Sequence, residues 1–112
     1  MTDKQKEKFL TENIYKGLTN LNTGWDASSI YYFTKSDFKV LLSRVENLGI
    51  GIYGIEPWDS DNHYFGVKLY DDYSSKPSDP SWYNKAFREF VKTGEELQYS
   101  ASYYVPEDLL KL

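Results

Sequence analysis

The sequence predicts one α+β domain over residues 1–112, ordered β-α-β-β-α-β behind an added N-terminal helix. Three observations predict it. Apolar residues recur at three- and four-residue steps in separate segments, two of them bracketed by capping residues. Runs rich in β-branched and aromatic residues lie between and after those segments. A chain of 112 residues, 40% hydrophobic and 27% charged, is long and apolar enough for one core without disulfides.

In Asp3–Leu18, Leu10, Ile14 and Leu18 stand four apart with Phe9 beside them, and charges fill the remaining faces. So narrow a stripe predicts a helix lying across the outside of the domain. Thr19–Ser29, with Trp25 and Asp26, has the composition of a loop, and Ile30–Phe33 that of a short strand. Thr34 or Ser36 is positioned to cap a helix carrying Phe38, Leu41, Leu42, Val45 and Leu48, with Gly49 at its left-handed end. Ile50–Glu56 reads as a strand that Pro57 terminates, its Gly51 and Gly54 marking close backbone approach.

After a turn at Asp59–Asn62, His63–Tyr70 alternates as a strand. Phe65, Val67 and Leu69 point one way and Tyr64, Lys68 and Tyr70 the other. The polar Asp71–Ser81 leads to Asp79 and Pro80, a cap and a first-turn proline. Tyr83, Ala86, Phe87, Phe90 and Val91 form the buried face of that helix, and Gly94 closes it. Leu97, Tyr99, Ala101, Tyr103 and Val105 alternate over a last strand, a helix being the alternative there, and Pro106 opens a one-turn tail. The order is that of a ferredoxin-like fold, a four-stranded antiparallel sheet with two helices on one face. Phe38, Leu41, Val45, Phe65, Val67, Phe87 and Phe90 are its expected core.

Composition narrows the function. The absence of cysteine excludes disulfides, thiolate metal sites, iron–sulfur clusters and cysteine nucleophiles, and it fits a reducing, cytoplasmic setting. No run of 18 apolar residues occurs. The charged Met1–Lys8 segment does not read as a secretory signal, and the start at Met1 fits a complete small protein. The letters Gly49-Ile50-Gly51 and Gly54 match a dinucleotide-binding glycine pattern, but they follow a helix and enter a strand, the reverse of its context. His63 is a lone histidine at a turn, where a solvated role outweighs a catalytic one. Asp59, Asp61, Asn62 and His63 gather oxygens and a nitrogen. A calcium loop counted from Asp59 would need glycine and glutamate where Tyr64 and Tyr70 stand. Neither metal nor cofactor is expected.

The stretch His63-Tyr64-Phe65-Gly66-Val67-Lys68-Leu69-Tyr70 resembles the third-strand motif of the RRM family of RNA-binding domains, at Phe65, Gly66 and Tyr70. The leading basic residue, first glycine and second stacking aromatic of that motif are missing. The net charge of −4 also opposes a phosphate backbone, so no nucleic-acid partner is expected.

What remains is a surplus of aromatic and acidic residues. There are eleven tyrosines, and 18% of the chain is aromatic. Tyrosine hydroxyls need partners or water, which keeps some rings at the surface. The expectation is a small acidic, non-enzymatic, protein-binding module, of the kind of a bacterial inhibitor or immunity protein that blocks a basic toxin or nuclease. Its expected partner-binding residues are Trp58, Tyr64, Tyr70, Asp71, Asp72, Asp59 and Asp61. Tyrosine anchors with acidic steering suit a basic protein. The alternative is a small enzyme or ligand-binding domain using Glu56 and nearby tyrosines in a pocket; self-association through a sheet edge is a third reading. Folding without metal predicts a thermal midpoint unchanged by a strong chelator. A large fall on chelation would reveal a structural metal, since such a metal supplies folding free energy directly.

Overall fold

The structure, a computed structural model, describes residues 2–61 and 63–110. Met1, Asn62 of the expected turn, and Lys111 and Leu112 of the tail lie outside the described residues. Helix α1, Asp3–Asn13, opens with a reciprocal cap: Thr2 Oγ1 accepts from the Gln5 N–H at 3.1 Å and Gln5 Oε1 from the Thr2 N–H at 3.0 Å. It ends at Ile14 rather than Leu18. Arg44 then donates to the carbonyls of Ile14 and Lys16 at 2.9 and 2.7 Å. Those contacts satisfy carbonyls at the end of the helix and bind it to α2, Lys35–Leu48. Thr34 caps α2 through the Asp37 N–H, and Gly49 closes it at φ 72°, a left-handed conformation that glycine adopts without steric cost. Helix α3, Pro80–Val91, starts from Asp79, and α4 is the single turn Glu107–Leu110.

Strands β1 (Gly51–Asp59), β2 (Lys68–Leu69) and β3 (Leu97–Tyr104) form one antiparallel sheet in the order β2-β1-β3. The ferredoxin-like arrangement is not reproduced. Ile30–Phe33 contributes only a bridge from Phe33 to Tyr99 at the outer edge of β3. The two long strands β1 and β3 pair directly, whereas a ferredoxin-like order would hold them apart. The domain is therefore α+β with a three-stranded sheet.

Pro57 does not end β1. A strand residue points its N–H and C=O to the same side, and the Pro57 carbonyl accepts from Phe65 at 3.0 Å. The missing donor thus faces the irregular 63–67 segment, and the ladder to β3 loses nothing.

Helices α2 and α3 lie on one face of the sheet, and Tyr99 is the hub of that core. Its ring stacks on Phe38 at 5.2 Å between centroids and meets Phe87 edge-on at 5.2 Å. Its backbone exchanges two hydrogen bonds with Phe33, at 2.8 and 2.9 Å. Phe38, Leu41, Val45, Phe87 and Phe90 are buried as expected, but Phe65 and Val67 are exposed.

From Val67 onward the change of facing has a specific cause; Phe65, beside the Trp58–Tyr64 bridge, precedes it and lies opposite Pro57. Trp58 bridges Tyr64, while Ile55 pairs with Lys68. Three steps along β1 thus correspond to four along the partner. The extra residue falls at Gly66, whose φ of 111° leaves the extended line. A one-residue slip reverses every side chain beyond it. Lys68 turns to the helix face, where it reaches Glu89 at 3.3 Å, and Leu69 turns to the opposite face.

Burial holds Tyr83 and Tyr99 neutral, pushing both phenols up to about 12. In the unfolded chain a phenol ionises near 10. The stability these two contribute is complete below pH 10 and is lost as pH rises through 12. Denaturant midpoints measured across that window should fall steeply, and Tyr83→Phe should shallow the fall. A midpoint flat from pH 9 to about 12 would refute the buried phenols.

Candidate functional site

The face of the sheet turned away from α2 and α3 carries the aromatic surplus. A second one-residue irregularity builds it. β1 pairs Ile52 with Tyr103 and Gly54 with Ser102, so Tyr53 is the unpaired residue of a bulge. Its ring lies 6.1 Å from Tyr104 and 6.3 Å from Tyr70, centroid to centroid. Leu69 lies across Gly54; a Cβ there would stand 2.7 Å from Leu69 Cδ2. The Leu69 N–H donates to Asp72 Oδ2 at 2.8 Å, which opens the 3₁₀ turn Tyr70–Tyr73. On the helix side, Glu89 accepts from Tyr73 and Lys68, and these bonds hold its carboxyl below the usual range. The same pair fixes the turn that presents Tyr70, Asp71 and Asp72.

The other end of the face is covered by the loop before Phe33. Asn22 shapes that loop, donating to Ala27 and Ile30 carbonyls at 2.9 and 2.8 Å and accepting from the Gly24 N–H. Trp25 packs on Tyr32 at 4.4 Å and on Trp58 at 5.4 Å. The Tyr32 hydroxyl donates to Asp26 at 2.6 Å, which lowers the Asp26 pKa; burial, then Asp26, raise that of Tyr32. Trp58 is thereby half-buried among Trp25, Tyr32 and Tyr64, with its Nε1 buried and unpaired. Its ring is chiefly a structural contact.

The seven residues expected to form one docking patch are divided. Trp58, Tyr64, Asp59 and Asp61 stand at one end of β1, while Tyr70, Asp71 and Asp72 lie beyond Leu69, the partner of Gly54. Four residue steps along β1, about 13 Å, separate Trp58 from Gly54. The half-buried Glu56 lies in the interval, Leu69 marks its Gly54 end, and Tyr53 and Tyr104 lie beyond that end, beside Tyr70. Of these, Tyr53 and Tyr104 were missed, and Leu69 was placed on the face of Phe65 and Val67. The signal for Tyr53 was present: Ile52 and Ile55 are both buried but three apart, a spacing that an unbroken strand cannot place on one face.

Asp59 closes the turn. Its Oδ1 accepts the N–H groups of Asp61 and His63 at 2.9 Å each, and the His63 bond chiefly lowers its pKa. Asp59, Asp61 and His63 each bring one ligand atom within 4.8 Å of the others, but one Asp59 oxygen is already committed to backbone donors. Three clefts open elsewhere: beside Trp25 and Gln98, between α2 and α3, and beside Asp3 and Tyr15. None of the three is lined by Glu56, Trp58, Tyr64 or Tyr70. No helix among the described residues is long and apolar enough to cross a membrane. Comparison of the chain with protein-family models, curated proteins and solved structures finds no match.

Since Tyr53 and Tyr104 are exposed rather than core, Tyr53→Ala and Tyr104→Ala should each change the unfolding free energy by less than about 1 kcal/mol. Phe87→Ala should cost about 3–5 kcal/mol in the same denaturant titration. Comparable losses in all three would make the aromatic face part of the core.

Proposed function

We propose that the protein is a non-enzymatic binding module that docks a basic protein partner on the aromatic face of its sheet. One observation carries this reading. Of the eight large hydrophobic side chains exposed among the described residues, six belong to β1, β3 or the 64–69 segment alongside β1, namely Tyr53, Tyr64, Phe65, Val67, Leu69 and Tyr104, and Tyr53, Tyr64, Leu69 and Tyr104 share the aromatic face. The six are 37–53% exposed. A concentration of this kind marks an interaction surface more often than chance exposure does.

Charge favours the sign of the partner. Between Gly51 and Tyr73 the chain holds five carboxylates, Glu56, Asp59, Asp61, Asp71 and Asp72, and one lysine, Lys68. Lys68 turns to Glu89 on the helix side. Carboxylates therefore flank both ends of a row of rings whose hydroxyls reach water. Tyrosines there offer contact area at small entropic cost, and the acids accelerate encounter with a basic surface. An inhibitor or immunity-type protein acting on a basic toxin or nuclease is the class that this combination fits.

The test is affinity capture from native lysate with the wild-type protein and with a folded Tyr53→Ala/Tyr104→Ala variant. A basic protein should be retained by the first and lost by the second. With that partner purified, each single alanine should cost about 2 kcal/mol, roughly thirtyfold in affinity. Asp71→Lys and Asp61→Lys should slow association and flatten its salt dependence. Retention of the same proteins by both forms, or of acidic proteins only, would overturn the proposal.

A further inference from the structure

The opposite side of the molecule carries the opposite charge. A groove of about 630 Å³ runs between α2 and α3, with Leu42, Phe87 and Val91 at its floor. Its rim holds Lys35 and Lys39 on α2, and Arg88 and Lys92 at the facing end of α3; no carboxylate lines it. All four cations are exposed, and none makes an ion pair among the described residues.

The acids of the two helices are directed elsewhere. Asp37 accepts from the Thr19 N–H at 3.2 Å, and Glu89 from Tyr73 and Lys68. Glu46 accepts from Asn84 at 3.1 Å, at the far end of the groove. The remaining helix cations are likewise occupied: Arg44 on carbonyls of the α1 end, and Lys85 over the Tyr73 ring at 5.9 Å. In a chain of net charge −4, this groove gathers uncompensated positive charge around apolar carbon.

We infer that the α2–α3 groove binds an acidic amphipathic helix of a partner protein. Lys35 and Lys39 are one helical turn apart, as are Arg88 and Lys92, so each helix presents a rail of two cations about 6 Å apart. A third helix seated between two others places its apolar stripe against Val91 and the aliphatic stems of the cations and its flanks against the rails. Carboxylates at i and i+4 on both flanks match that spacing. The concave shape of the groove, with the half-buried Val91 and the cations along its sides, favours a helix over the flat surface of a bilayer.

The experiment is fluorescence anisotropy with a labelled amphipathic helical peptide, leucine on one face and glutamate on both flanks. A peptide with lysine in place of glutamate and vesicles of anionic phosphatidylglycerol are run beside it. The acidic peptide should bind, more weakly as salt rises. Lys39→Glu and Arg88→Glu should each weaken it about tenfold, and Val91→Ser should weaken it without changing the salt dependence. Circular dichroism confirms that each variant is folded. The Tyr53→Ala/Tyr104→Ala variant should bind the peptide normally, which separates this groove from the aromatic face. No binding, equal binding of the lysine peptide, binding of vesicles alone, or indifference to both charge reversals would overturn the inference.

Discussion

The direct pairing of β1 with β3 is the constraint on which the rest of the structure depends. These are the two long strands, and their ladder runs from Gly51 opposite Tyr104 to Asp59 opposite Leu97. It places Tyr99 beside Pro57, with its ring in the centre of the helix-side core. It leaves the other edge of β3 to Phe33 and the other edge of β1 to the short β2. A long antiparallel ladder buries two rows of side chains at once. Here one row anchors α2 and α3, and the other is shared between the Trp25 loop and solvent.

Two single-residue bulges convert this regular frame into a surface with particular chemistry. The one at Tyr53 ejects a tyrosine from β1 and sets it against Tyr104 and Tyr70. The one near Gly66 exchanges Lys68 for Leu69 on the outer face. Together they remove a positive charge from that face and add apolar area. Bulges are common where a strand must re-aim a side chain, and both serve that end here. Gly54 contributes by leaving room for Leu69 to lie across the strand.

The result is a sheet whose two sides differ in charge as well as in covering. Carboxylates border the open aromatic side, while the cations of α2 and α3 that are free of intramolecular duties gather on the other. Interactions within the chain produce this division. Glu89 draws Lys68 inward, Arg44 is committed to the carbonyls that end α1, and Lys85 covers Tyr73. Charge separation on this scale gives each face its own electrostatic character, because exposed charges act mainly within about 10 Å at moderate salt.

The sequence by itself determined the local elements. Thr34 and Gly49 mark α2, Asp79 and Pro80 start α3, and most of the buried face of each helix follows from spacing, because caps and helical periodicity are short-range physics, although Leu48 is exposed and the buried Trp82 was not foreseen. It also announced an acidic, tyrosine-rich surface and a turn closed by Asp59. Sheet order and facing were left to the tertiary structure. Ile30–Phe33 has the composition of a strand yet forms one bridge, since its pairing depends on what the edge of β3 leaves free. Phe65, Val67 and Leu69 alternate as a core face should, but facing depends on register against β1. One extra residue at Gly66 reverses it from Val67 onward, and nothing in the alternation itself records that residue. The aromatic and acidic residues singled out from sequence lie at two ends of one strip, and Tyr53 and Tyr104, which only the pairing of distant strands brought together, join its Tyr70 end.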